Sequence, residues 1–121
     1  MDLVRHGRFW YQTAREIADS RVRLPPSATE ITVFKYGSGH DARFTVSNDD
    51  LMEWLHNNQA ERNHSKFGLF IPAHFSKYGW PSGDDKVGME EYTGPHAPNG
   101  AGFSVWYSRK NGIAYLHAGF W

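Results

Sequence analysis

Phe103-Ser104-Val105-Trp106-Tyr107-Ser108 and Ile113-Ala114-Tyr115-Leu116-His117-Ala118-Gly119-Phe120 are two aromatic and β-branched runs on either side of Arg109-Lys110-Asn111-Gly112. Asn-Gly is the strongest short-range hairpin signal, because both residues of a type I′ turn must take positive φ. A tight turn at Asn111-Gly112 places Tyr107 opposite Leu116, Val105 opposite Ala118 and Phe103 opposite Phe120 on one face. Trp106 then faces His117, and Ser108 faces Tyr115, on the other. The first face reads as core. The second carries Ser104, Trp106, Ser108, Tyr115 and His117, and has two outcomes. Either a second layer covers its rings, or it is an open interface on which Trp106 and Tyr115 anchor a partner and His117 adds sensitivity to pH.

Outward from this hairpin, the remaining elements follow from periodicity and punctuation. Between Phe9 and Ser20, Trp10, Ala14, Ile17 and Ala18 recur at helical spacing with Gln12, Arg15, Glu16 and Asp19 on the other side. That pattern predicts an amphipathic helix, ended before Pro25 and Pro26. Glu30 to Tyr36 and Ala42 to Val46 predict two strands of a hairpin around Gly37-Ser38-Gly39-His40-Asp41. Ser47 or Asn48 caps a second helix over Asp49 to Gln59, where Leu51, Trp54 and Leu55 form one stripe. Phe67-Gly68-Leu69-Phe70-Ile71 predicts a brief strand or buried segment ended by Pro72. Residues 72–102 hold six of the twelve glycines and four of the six prolines, so this stretch reads mostly as loop. Loops of that length in compact domains tend to be functional.

The expected fold class is therefore α+β: an antiparallel sheet of four to five strands, with two helices packed on one face, in a single domain over residues 1–121. Leu, Ile, Val and Phe supply only 24 of 121 residues, whereas aromatics number 19, five of them Trp. The core should accordingly be aromatic, since each ring can bury roughly 150–250 Å².

Thirteen basic and thirteen acidic residues balance to zero net charge, which removes the electrostatic footprint of a nucleic-acid or membrane partner. The aromatic strand at Gly102 to Tyr107 is faintly similar to that of RNA-recognition domains, but lacks the basic residues that should accompany it. No cysteine is present, so disulfide, thiolate and Cys-ligated metal chemistry are out. The seven histidines, His6, His40, His56, His64, His74, His96 and His117, show no H-x-H, H-x-x-x-H or H-E-x-x-H spacing. No metal or cofactor is expected. Neither G-x-S-x-G nor a phosphate-binding G-x-x-x-x-G-K-[ST] occurs. The N-terminal residues lack the apolar core of a signal peptide, so a soluble, cytoplasmic protein is the expectation, with export left open.

Two functional readings remain. The first is a non-enzymatic binding protein, taking a protein partner or a small ligand through Trp106, Tyr115, His117, Trp80 and Tyr92 and the 72–102 loop. The second is a small hydrolase-like or lyase-like enzyme with an acid/base site built from His74, Asp84, Glu90 and His96, Asp85 and Glu91 being the neighbouring carboxylates. A structural homo-oligomer, such as a homodimer, is a third option.

Leu24-Pro25-Pro26-Ser27-Ala28-Thr29-Glu30-Ile31, with the hairpin that carries Arg43-Phe44 and the helix after it, resembles small uncharacterised bacterial α+β proteins that share an L-P-x-S-A-x-x-I motif. Some members of that group are exported or lipid-anchored, but this chain lacks the lipobox Cys. The resemblance covers residues 24–56. The aromatic-rich, signature-free chain is also similar to orphan proteins carried on mobile gene cassettes in bacteria. Neither likeness brings functional residues with it.

Overall fold

A computed structural model describes residues 7–64, 68–95 and 102–119. Its frame is one antiparallel sheet of seven strands: β1 Gly7–Thr13, β2 Thr29–Tyr36, β3 Gly39–Thr45, β4 Glu61–Arg62, β5 Glu90–Thr93, β6 Gly102–Ser108 and β7 Ile113–Gly119. The strand order is β1-β2-β3-β7-β6-β5-β4. Two meanders therefore meet at a long-range seam, where β3 pairs with β7 from Gly39↔Gly119 to Thr45↔Ile113.

The expected fold class is corrected by this architecture. Among the described residues, seven strands replace four to five, and only one α-helix, α1 over Asn48–Asn57, accompanies them. Residues 9–20 do not form a helix; they hold β1 and a single 3-10 turn over Ala14–Glu16. Four apolar residues at helical spacing are outweighed by the run Phe9-Trp10-Tyr11-Gln12-Thr13, whose aromatic and β-branched side chains favour a pleated edge. β2 supplies the hydrogen-bonding partner, with Trp10 opposite Thr32 and Tyr11 opposite Ile31. β4 and β5 also escape sequence reading. The first is two residues long, and the second opens on Glu90-Glu91, residue types depleted in strands.

Other expectations hold. α1 starts where expected: Ser47 Oγ accepts the Asp50 amide at 3.2 Å, and Asp49 and Asp50 occupy the positive end of the helix. β2 and β3 form the expected hairpin, although its turn is only Gly37-Ser38, since Tyr36 already pairs with Gly39. Segment 68–71 is irregular, with Leu69 and Ile71 packed on the sheet; Phe67 lies outside the described residues.

The C-terminal hairpin forms, but not through a type I′ turn. Its loop is Arg109-Lys110-Asn111-Gly112, closed by Ser108↔Ile113, and of the Asn-Gly pair only Gly112 has positive φ (68°). Asn111 instead lends its side-chain amide to Asp84 at 2.8 Å and Asp85 at 2.6 Å, while the Gly112 amide donates to Ser108 O. The register thus differs from expectation by two residues: Tyr107 faces Ala114, Val105 faces Leu116 and Phe103 faces Ala118. Trp106 faces Tyr115, and Ser104 faces His117. Because side chains alternate with period two, an even shift leaves every residue on its expected face. The proposed pairing of Phe103 with Phe120 has no counterpart; Phe120 is outside the described residues.

Both faces of the sheet are covered. On one, Ile31, Val33, Ala42, Phe44, Val105, Tyr107 and Leu116 meet Leu51 and Leu55 of α1 together with Val22, Leu24 and Ala28 of the β1–β2 connection. Asp19 ties that connection to β2, taking Arg21 at 2.9 Å and Lys35 at 3.1 Å. On the other, Trp106, Tyr115 and Phe34 lie beneath Phe75, Tyr78, Trp80 and Met89 of the segment between β4 and β5. This second layer is almost wholly aromatic and locked by edge-to-face contacts, such as Phe75–Trp106 at 5.5 Å and Phe75–Trp80 at 5.4 Å. Within the stretch expected to be a loop, residues 72–89 form a packed cover carrying a 3-10 turn over Ala73–Tyr78, and Glu90–Thr93 form β5.

The β3–β7 seam makes a sharp prediction. A Cβ on Gly39 would stand 2.1 Å from the Ala118 carbonyl oxygen, whereas one on Gly37 meets nothing within 4 Å. Gly39→Ala should destabilise by more than about 2 kcal/mol, because backbone must move to admit it, and Gly37→Ala by well under about 1 kcal/mol. Urea melts of the two variants measure the difference; equal effects would contradict the seam.

Candidate functional site

Along β3, Ala42 and Phe44 point into the α1-side core, so Asp41 and Arg43 project onto the aromatic side. Asp41 is fully buried there. Its register partner across the seam is His117, and Tyr36 reaches it from β2. The 73–78 turn closes over it from above with His74 and Tyr78. Asp41 Oδ1 accepts from His117 Nδ1 at 2.7 Å and from the Tyr36 hydroxyl at 3.0 Å. Oδ2 accepts from His74 Nε2 at 2.8 Å and from the Tyr78 hydroxyl at 2.8 Å. A carboxylate offers about four lone-pair sites, and four donors fill them.

Burial alone would raise the Asp41 pKa. The hydrogen bonds from His117 and Tyr78 and the proximity of both imidazoles outweigh it, leaving the carboxyl below its ordinary value. Burial first, then the hydrogen bond to Asp41 and its charge, push the Tyr36 and Tyr78 hydroxyls well above the usual phenol range, so both stay protonated as donors. An ionised carboxylate only accepts, so each imidazole must carry a proton on the nitrogen facing it: Nε2 of His74 and Nδ1 of His117. The nitrogens left for chemistry are Nδ1 of His74 and Nε2 of His117. The two rings lie 5.4 Å apart at 62°, each side chain about one-third exposed (36%). One buried anion thus orients a pair of accessible imidazoles in opposite tautomers.

Asp41, His74 and His117 also bring their ligand atoms within 4.8 Å of one another, a donor set of the kind that holds a divalent ion. As arranged, both inner imidazole nitrogens are donors and the carboxylate is saturated. An ion would have to displace two protons and open these hydrogen bonds.

The residues singled out from sequence are distributed differently from expectation. His74 and His117 enter the site, but from separate readings, and their carboxylate is Asp41 instead of Asp84 or Glu90. Asp84 binds Lys110 at 2.8 Å and Asn111 at the hairpin loop. Glu90 binds Arg109 at 2.9 Å and the Tyr92 hydroxyl at 2.7 Å. Asp85 meets the Tyr115 hydroxyl, and Glu91 holds Trp106 Nε1 and the Phe70 amide, each at 2.7 Å. These four carboxylates fasten loops to strands. Trp80, Tyr92, Trp106 and Tyr115 are all buried, Trp106 and Tyr115 as floor of the second layer, so the hairpin's outer face is covered. His96 is outside the described residues. Asp41, Tyr36 and Tyr78 escape sequence reading altogether. The only available signal was alternation in β3, which separates Asp41 and Arg43 from Ala42 and Phe44.

Two concavities flank this centre. A groove of about 520 Å³ on the same face is lined by Arg8, Phe34, Arg43, Lys77, Tyr78 and Trp80, among others. On the opposite face, a cleft of about 310 Å³ lies among Arg23, His40, Trp54, Phe103, Leu116 and Ala118. Burial pushes His40 down to about 4, which keeps its ring neutral at physiological pH.

No protein-family model, curated protein or solved structure matches the chain. No helix among the described residues is long and apolar enough to cross a membrane.

Acid titration should reveal two of these groups. His40 is depressed from 6.5 to about 4 in the native state, so the stability it confers is complete above pH 6.5 and lost as pH falls toward 4. Asp41, also depressed, loses its contribution only below its ordinary 3.8. Denaturant melts across pH should show a loss on the order of 3 kcal/mol in the first window, flattened by His40→Gln. A pH-independent stability between 6.5 and 4 would contradict the buried neutral ring.

Proposed function

We propose that the chain is a small acid/base enzyme, hydrolase-like or lyase-like, whose working groups are His74 and His117 and whose organising group is Asp41. The supporting observation is the buried carboxylate that binds both imidazoles and leaves one ring nitrogen of each for substrate. In the state with one ring protonated, the pair offers a base and an acid side by side, and Asp41 balances the cation. In hydrolysis, the neutral ring removes a proton from attacking water while the protonated ring supplies one to the leaving group. In elimination, the neutral ring takes a carbon-bound proton instead. Either way, one proton is taken and one given, and the pair regains its starting state by exchange with solvent. Tyr36 and Tyr78 hold the carboxylate in place.

A second reading, a binding protein for a small ligand, draws support from the cleft beside α1, whose apolar walls Trp54, Phe103 and Leu116 carry a polar rim at Arg23. It does not engage the His–Asp–His group. The partner in both readings is a small molecule.

The test is turnover of p-nitrophenyl phosphate, bis(p-nitrophenyl) phosphate and p-nitrophenyl acetate. A bell-shaped pH profile is expected on at least one ester, with a loss of about 10²–10⁴-fold in His74→Gln and in His117→Gln. Turnover of all three esters that is unaffected by the double variant would remove the acid/base reading. Asp41→Asn should cost about 3–5 kcal/mol, since four donors then face a group unable to accept them all.

A further inference from the structure

The groove next to the imidazole pair has a charge pattern that the His–Asp–His chemistry does not use. Arg8, Arg43 and Lys77 line it, no carboxylate does, and none of the three forms an ion pair among the described residues. In a chain with zero net charge, three unopposed cations around one concavity are a local excess. Arg43 is two residues from Asp41 on the same face of β3, about 7 Å along the strand. It lies over the Tyr115 ring, 5.8 Å from its centroid, which keeps the guanidinium at the groove. Lys77 follows His74 by three residues in a 3-10 turn, the spacing at which side chains eclipse, so both project from the same side of the turn. Tyr78 belongs to both places: its hydroxyl serves Asp41 and its ring lines the groove.

The groove also offers flat surface. Tyr78 stacks on Phe34 at 3.8 Å, with the Trp80 edge against both. Across the β1–β2 ladder, Trp10 stands opposite Thr32, itself a groove residue, and is 58% exposed. Opposite residues share a face, so the most exposed tryptophan described borders the cationic groove.

We infer that this groove is the substrate subsite of the acid/base centre and takes a phosphate monoester carried on a flat ring, the phosphate on Arg43, Lys77 and Arg8 and the ring against Trp10. The inference rests on the acid/base reading for its role, but binding can be measured without turnover. A dianion matches the excess positive charge better than a carboxylate, and an Arg guanidinium pairs with phosphate oxygens in bidentate geometry. The groove's position brings the ester bond toward His74 and toward His117, which lies two residues along β7 from Tyr115, the register partner of Arg43.

Isothermal calorimetry with adenosine monophosphate, adenosine and inorganic phosphate tests it. Adenosine monophosphate should bind with 1:1 stoichiometry and weaken as salt rises, inorganic phosphate should bind more weakly, and adenosine weakest of all. Lys77→Gln and Arg43→Gln should each weaken binding about tenfold, the effect of losing one charge-assisted contact. Lys77 is exposed, so its variant keeps the test independent of folding. Trp10→Ala should weaken adenosine monophosphate but not inorganic phosphate. Intact binding without turnover in the parent protein would fault the acid/base reading alone. Absent binding of adenosine monophosphate, equal binding of adenosine, or indifference to Lys77→Gln together with Arg43→Gln would overturn the subsite.

Discussion

A carboxylate taken fully out of water must be compensated by hydrogen bonds, and Asp41 finds all of its donors outside its own strand. Tyr36 comes from β2, His117 from β7, and His74 and Tyr78 from the turn that covers the sheet. Those requirements join three otherwise separate features: the long-range β3–β7 seam, the seating of the 73–78 turn, and the orientation of two imidazoles. Breaking one buried pair leaves a stranded charge, so the cover and the sheet are coupled through a single group. The same anion that makes the region costly to assemble gives both rings a fixed tautomer.

Around that centre, a chain poor in aliphatics fills two cores in different ways. The α1-side core uses Ile, Val, Leu and Phe from alternate positions of β2, β3, β6 and β7. The opposite core uses large rings, with polar tips tied down where they reach inside: Trp106 by Glu91 and Tyr115 by Asp85. Acidic doublets that resemble catalytic pairs in the sequence are these fasteners. Aromatic rings that resemble a docking surface are the floor beneath the cover.

Legibility followed the range of the interaction. The cap and stripe of α1, the β2–β3 hairpin and the two faces of the C-terminal hairpin rest on local signals, and all three were readable from Ser47, Gly37-Ser38 and the alternation of Phe103, Val105 and Tyr107 against Trp106. Faces survived even where register did not, since the difference was an even number of residues. The side chain of Asn111, bound to Asp84 and Asp85, chose a longer loop than the Asn-Gly pair favours alone. β1 was lost because Trp10, Ala14, Ile17 and Ala18 satisfy a helical period by coincidence, while its pairing with β2 spans a connection that no local pattern reports. The site was hidden for the same reason. Asp41 sits inside an unremarkable hairpin stretch, and its partners His74 and His117 are 33 and 76 residues away in sequence. Only the seam and the cover bring them together.

The tautomers of His74 and His117 test the organising role of Asp41 most directly. Two-bond ¹⁵N–¹H correlation spectra of the neutral rings, recorded at mildly alkaline pH, distinguish a proton on Nδ1 from one on Nε2. The account predicts opposite states, Nε2–H for His74 and Nδ1–H for His117, with His117 departing from the Nε2–H form that free imidazole side chains favour. In Asp41→Asn, provided the variant remains folded by its amide dispersion, His117 should revert to that ordinary form. Nε2–H on His117 in the parent protein, or a His117 tautomer indifferent to Asp41→Asn, would contradict it.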